Sequence, residues 1–173
     1  MKSRNKMWHG AFVCIFNKDF SKILLLKRNI EKKRREGKIW ETEAAWGNIG
    51  GSIEANETPK RACIREAYEE IGIRLKPNDL VQVYIKKKQS SKPNPYTEYF
   101  YATAIDEGTK FSLNDESYKY KWFSVEKLPL KMLDKKEDIL LWRSVSKRLF
   151  RINPISPSQP SKTNQHQYRV PDN

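Results

Sequence analysis

Cysteine is nearly absent from this sequence: Cys14 and Cys63 are the only two among 173 residues. Neither belongs to a metal-spaced pair, and nothing in their placement calls for a disulfide, so both read as small apolar fillers in a reducing compartment. Long apolar runs are missing as well. The N-terminal stretch MKSRNKMWHGAFVCIFNKD holds six apolar residues in a row before Asn17, too few for a signal sequence or a membrane span; the expectation is a cytoplasmic protein with no membrane contact. Histidine is limited to His9 and His166, the first within an expected strand and the second in the tail, and neither reads as a catalyst. Acidic residues are outnumbered, 21 against 34 Lys and Arg, which leaves a net charge of +13. Such a surplus favours anionic partners: nucleotides, capped or triphosphorylated RNA ends, or nucleic acid bound nonspecifically. For any single lysine run, solubility is an equally good account.

What is present has the pattern of an α/β protein. Residues 8–16 (WHGAFVCIF) and 21–28 (SKILLLKR) read as two strands of a hairpin across a polar turn. Residues 29–44 form a charged segment, either a loop facing substrate or a solvated insertion. A third strand is expected near residues 44–51 (AAWGNIGG). Two more follow at 80–88 and 97–105, joined by a loop with SSKPNP at its centre, and another at 118–125. Residues 134–150 have helical spacing at Ile139, Trp142, Val145 and Leu149. These elements alternate into a mixed sheet with helices on its faces. Length suggests one domain over 1–152, compatible with a homodimer. The proline-rich residues 153–173 lack periodicity and read as a disordered tail.

The most punctuated element is RACIREAYEEIGI, residues 61–73. Thr58 suits an N-cap, Pro59 the first helical position and Gly72 the residue past the end, so a helix is expected over 59–70. At about 100° per residue, Glu66, Glu69 and Glu70 share one face, while Ile64, Ala67, Tyr68 and Ile71 cluster opposite, as core. Like charges at i,i+3 and i,i+4 repel, and the helix dipole disfavours anions near a C-terminus. A bound divalent cation would resolve the conflict, because Mg²⁺ and Mn²⁺ take carboxylate oxygens as ligands.

The surrounding stretch, residues 46–73 (WGNIGGSIEANETPKRACIREAYEEIGI), resembles the Nudix box, G-x5-E-x7-R-E-U-x-E-E-x-G-U with U apolar. Gly51, Glu57, Arg65, Glu66, Glu69, Glu70, Gly72 and Ile73 fill the pattern without insertion or deletion, and Ala67 takes the apolar place. Two positions outside the fixed ones depart from the commonest form: Ile49 stands where many members carry proline, and Ala55-Asn56 replaces a frequent proline-glycine turn. The resemblance to Nudix (MutT-like) hydrolases covers about residues 7–150 and implies an α/β/α sandwich. It also implies hydrolysis of a nucleoside diphosphate derivative by attack of water on phosphorus, with Mg²⁺ or Mn²⁺ as cofactor.

Carried onto this chain, the family pattern makes Glu69 and Glu70 metal ligands and Glu66 a ligand or the base acting on water. Arg65 would orient the glutamates, Gly51 would support the loop, and Glu57 would brace it or bind metal through water. The carbonyl of Gly50 is a further expected ligand, because glycine lets the main chain approach an ion. Many members draw another carboxylate from a distal loop, and Glu116, preferred over Asp115, is the candidate; a solvent-exposed turn is the competing reading. For substrate contact the candidates are Trp40, Arg34 and Arg35, within the basic cluster that includes Lys32 and Lys33. The substrates open to this reading are nucleoside triphosphates, dinucleoside polyphosphates, ADP-ribose and nucleotide sugars. RNA 5′-end pyrophosphohydrolysis or decapping is one alternative. A non-catalytic nucleotide-binding module is another, disfavoured because every box glutamate is retained.

Overall fold

Alternation along the first strand decides the layering. The computed structural model describes residues 9–28, 45–88 and 96–152, and the backbone of 32–35 and 38–41. In β1 (His9–Asn17) the side chains of Ala11, Val13 and Ile15 enter one buried cluster, while Cys14 and Phe16 enter another on the opposite face. β2 (Lys22–Arg28) repeats this: Leu24 and Leu26 join the first cluster, Ile23 and Leu25 the second. Both faces are covered, which is why Ile23, Leu24, Leu25 and Leu26 form a continuous apolar run.

β3 (Lys32–Arg35) and β4 (Lys38–Glu41) form a separate antiparallel pair. The expected loop at 29–44 therefore contains a short hairpin; its charged residues carry no alternating apolar signal by which a strand could be read. The side chains of Arg34, Arg35 and Trp40 lie outside the described residues.

The expected third strand is divided in two. β5 (Trp46–Gly47) pairs with β2, whereas β6 (Ile49–Ser52) pairs with β1. β1 and β2 pair directly only at Ile15–Leu24 and Phe16–Ile23. Beyond that point they separate, and residues 46–52 fill the gap, changing partner at Asn48.

Next come α1 (Pro59–Ile71), a 3₁₀ turn at Pro77–Asp79, β7 (Val81–Lys88), β8 (Tyr96–Ile105), β9 (Ser117–Ser124) and α2 (Lys136–Ile152). β8 runs parallel to β1 over its whole length and antiparallel to β7, and β9 pairs antiparallel with the outer edge of β2. The result is a mixed sheet between two helices. α1 covers one face with Ala62, Cys63, Ala67 and Ile71. α2 covers the other with Ile139 and Trp142, and the Trp142 ring stacks on Phe100 with centroids 4.3 Å apart. Cys14 and Cys63 are buried free thiols on opposite faces of the sheet.

Two helix-face assignments need correction. Tyr68 is half exposed, with the Arg74 guanidinium over its ring at 4.8 Å, because it lies at the margin of the apolar arc and its hydroxyl end can stay in water. Glu70, expected on the acidic face opposite the core residues, is itself buried, 1% exposed. No helix among the described residues is long and apolar enough to cross a membrane. The 153–173 tail lies outside the described residues.

Candidate active site

The site is built where β6, paired with the N-terminal half of β1, meets the C-terminal half of α1 and the end of β2. Thr58 Oγ1 accepts from the Arg61 amide at 3.3 Å and Pro59 opens the first turn; at the other end Gly72, at φ 73°, donates its amide to the Tyr68 carbonyl at 3.0 Å. Both caps fall where the sequence places them. The remaining C-terminal carbonyls are met by a crossing loop: the Ser112 amide reaches the Ile71 carbonyl at 3.1 Å and the Asn114 amide the Glu70 carbonyl at 3.4 Å. That loop carries Glu116 to the site, and its amide is held by Asn114 Oδ1 at 3.1 Å.

Two arginines organise the carboxylates. Arg65 grips Glu57 with two hydrogen bonds, from Nε at 3.1 Å and from Nη2 at 3.0 Å, and it also donates to the Ser52 carbonyl at 2.9 Å. Its Nη1 reaches Glu66 at 2.8 Å and Glu69 at 2.9 Å. Glu57 accepts the Glu54 amide as well, at 3.1 Å, and so ties the loop before α1 to the helix. Arg28, the last residue of β2, was not singled out by sequence. Its Nη2 donates to Glu70 Oε1 at 2.8 Å and to the Gly50 carbonyl at 3.1 Å, and its Nη1 to Glu116 Oε2 at 3.2 Å. Glu116 is 66% exposed, so its bond to Arg28 is the rim of the cluster.

The glycines are required by space. Gly50 has φ 145°, and a Cβ there would run into the Ala11 carbonyl of β1; a Cβ on Gly51 would sit 2.5 Å from Glu66 Oε1. β6 therefore comes close to both its strand partner and the acidic side of α1.

Burial and charge set the electrostatics. Burial pushes the Glu70 carboxyl up to about 7, partly offset by Arg28 and reinforced by Glu66 and Glu116. Burial also raises Glu66, against the pull of Arg65. Glu57 moves the other way, because the Arg65 hydrogen bonds favour its carboxylate, and Arg65 is itself raised by Glu57. Glu70 Oε2 is buried without a hydrogen-bond partner, an arrangement that protein interiors rarely leave unfilled.

Five carboxylates, Glu57, Glu66, Glu69, Glu70 and Glu116, thus surround two guanidiniums. Among the described residues no three acidic, histidine or cysteine side chains are drawn close enough together to hold an ion directly, since the guanidiniums stand between them. The donor set nonetheless suits a hard divalent cation: an orphaned buried carboxylate oxygen, a glycine carbonyl that already accepts from a cation, and excess negative charge.

A second polar pair lies nearby. Asn48 Nδ2 donates to Asp134 Oδ2 at 2.9 Å in the segment leading into α2, burial raises the Asp134 carboxyl, and Asn48 Oδ1 is buried and unpartnered. Its partners are 86 residues apart, so local sequence spacing carried no sign of it.

Residues 7–143 match the NUDIX domain family. A dihydroneopterin triphosphate diphosphatase of Haemophilus influenzae is 27% identical over 96 residues, 56% of this chain and 54% of that protein; the chain thus spans about half of that relative's length. A putative 8-oxo-dGTP diphosphatase of Bacillus subtilis is 27% identical over 124 residues, 72% of this chain and 71% of that protein. The solved structure of a MutT NUDIX hydrolase from Burkholderia pseudomallei superposes with a TM-score of 0.59 at 22% identity, covering 79% of this chain and 97% of that one. With its complete box, its mixed sheet between two helices and this match across most of its length, the chain belongs to the Nudix family.

Proposed function

We propose that the protein is a divalent-metal-dependent pyrophosphohydrolase that cleaves the diphosphate linkage of a nucleoside diphosphate derivative by water attack on phosphorus. The observation that carries this reading is Glu70: a carboxylate buried beside Glu66, with one oxygen unpartnered, at the C-terminal side of an intact Nudix box. A divalent ion bound there would neutralise diphosphate oxygens and acidify a bound water. Glu69, Glu70 and the Gly50 carbonyl supply its oxygen ligands, and Glu66 serves as a ligand or as the base that takes the proton from water. Arg65 holds Glu66 and Glu69 at a common point through one nitrogen, and Glu57 fixes Arg65 in that pose. Glu116, exposed at the rim, would supply a further carboxylate to the water or the metal. Trp40, Arg34 and Arg35 on the β3–β4 hairpin contact the rest of the substrate. Whether Mg²⁺ or Mn²⁺ serves is a matter for titration with each ion.

The two relatives described above are named for a pterin triphosphate and for a purine deoxynucleoside triphosphate, and triphosphates of these two kinds are the first substrates to test. The decisive experiment is a screen of the purified protein against nucleoside triphosphates, dinucleoside polyphosphates, ADP-ribose and nucleotide sugars with Mg²⁺ or Mn²⁺. Turnover by the wild type and its loss in Glu69→Gln, with an unchanged fold, is the expected result. Equal turnover in that variant overturns the ligand assignment. A second reading rests on the net charge of +13: removal of diphosphate or a cap from RNA 5′ ends. It requires hydrolysis of triphosphorylated RNA that falls steeply with salt while hydrolysis of free nucleotides does not. In either case we place the activity in one Nudix domain over 1–152 of a cytoplasmic protein.

A further inference from the structure

Arg28 takes up three acceptors that the hydrolase reading assigns to the metal centre: Glu70, the Gly50 carbonyl and Glu116. Among the described residues no other cation bridges this set. Its guanidinium is one-fifth exposed, and the Glu70 carboxylate it holds is buried. A buried carboxylate without a compensating charge would be costly, and a neutral or protonated Glu70 would be a poor ligand. The same bonds, however, occupy lone pairs that a divalent ion would need. One acceptor cannot serve both cations at full strength, because like charges a few ångströms apart repel.

On the basis of that hydrolase reading, we propose that Arg28 is a resident cation of the carboxylate cradle, which keeps Glu70, the Gly50 carbonyl and Glu116 converged in the metal-free protein and leaves them when a divalent ion binds. Arg28 is a positioning residue in this account. Its planar fork is what allows one side chain to reach three acceptors; a lysine ammonium is a point charge on a flexible stem and cannot span them in the same way. The chain geometry favours the exchange, since Arg28 is the last residue of β2, next to the register shift between Lys27 and Arg28 in the pairing with β9. Besides the acceptors it would release, the side chain reaches, among the described residues, the Asn48 carbonyl at the long distance of 3.5 Å.

The test is isothermal titration calorimetry with Mn²⁺ and with Mg²⁺ at pH 8 on the wild type, Arg28→Met and Arg28→Lys, accompanied by melting curves with chelator and with saturating ion. Arg28→Met, similar in length but uncharged, is expected to bind Mn²⁺ roughly tenfold more tightly than the wild type, equivalent to about 1.4 kcal/mol. Its melting temperature should fall in chelator, and its gain on adding ion should exceed that of the wild type. Arg28→Lys should lie between the two in both measurements. Unchanged or weaker ion affinity in a folded Arg28→Met overturns the exchange and makes Arg28 a support of the ion instead of its competitor. If Arg28→Met does not fold, the lysine variant decides: affinity equal to the wild type refutes the proposal. Absence of ion uptake by the wild type at millimolar concentration removes the hydrolase reading, and the exchange with it.

Discussion

Glu70 offers the sharpest quantitative test. Its carboxyl ordinarily titrates at 4.5 and is pushed up to about 7 in the folded, metal-free protein. Between these values the unfolded chain gives up the proton while the folded chain keeps it, so this residue's contribution to stability is fully present below 4.5 and is lost as pH rises through 7. The gap corresponds to about 3 kcal/mol, and the group is buried enough that solvent screening takes little from it. Other carboxylates oppose the trend. Glu57, Asp19, Asp106 and Glu107 are lowered by hydrogen bonds in the fold and gain stability as pH rises, so the wild-type profile alone is ambiguous. Glu70→Gln isolates the residue, because the amide resembles the protonated acid and does not titrate. Urea denaturation of both proteins in chelator, from pH 4 to pH 8, should show the variant gaining about 3 kcal/mol relative to the wild type, roughly 6–12 °C in melting temperature for a chain of this size. With saturating Mg²⁺ the order should reverse at pH 8, where Glu70 is ionised, since only the carboxylate and not the amide holds the ion. A stability difference independent of pH in chelator would refute the claim that burial dominates at Glu70.

Further outcomes follow from the same geometry. Gly51→Ala should lower hydrolysis at least tenfold, about 1.4 kcal/mol in activation free energy, because the new methyl would sit 2.5 Å from Glu66 Oε1; steady-state kinetics beside a melting curve check it, and full activity refutes it. Arg65→Lys should lower kcat more than it raises KM, since the grip on Glu57 and the shared donor to Glu66 and Glu69 are lost while the charge remains. Trp142→Ala should destabilise by about 3–5 kcal/mol in urea, because the ring is fully buried against Phe100; a loss below about 1 kcal/mol would show that α2 is not part of the cooperative core.

Features written in local spacing could be read from sequence, and features made by distant contacts could not. Thr58, Pro59 and Gly72 announce α1 because capping is decided within four residues. The box glutamates follow from a fixed pattern, and Gly50 from its place before it. Arg28 was missed because its partners lie 22, 42 and 88 residues away, and an arginine ending an apolar strand resembles any solvated terminus. The burial of Glu70 is hidden from the sequence for a related reason. Helical angle separates faces of an isolated cylinder, but the depth of a side chain depends on the strand beside it, here β6 and the end of β2. The division of 46–52 was likewise invisible, since a change of partner at Asn48 leaves no trace in the apolar pattern.

The partner change at Asn48 also bears on how this protein tolerates length variation. Residues 46–47 are locked in register with β2, and residues 49–52 with β1, so a single insertion between Trp46 and Ser52 would slip one register or the other and turn Gly50 and Gly51 to the wrong face. Neither neighbour could accommodate it, because each is already pinned along its far edge, β1 by β8 and β2 by β9. In a library of one-residue insertions this seven-residue segment should be a desert.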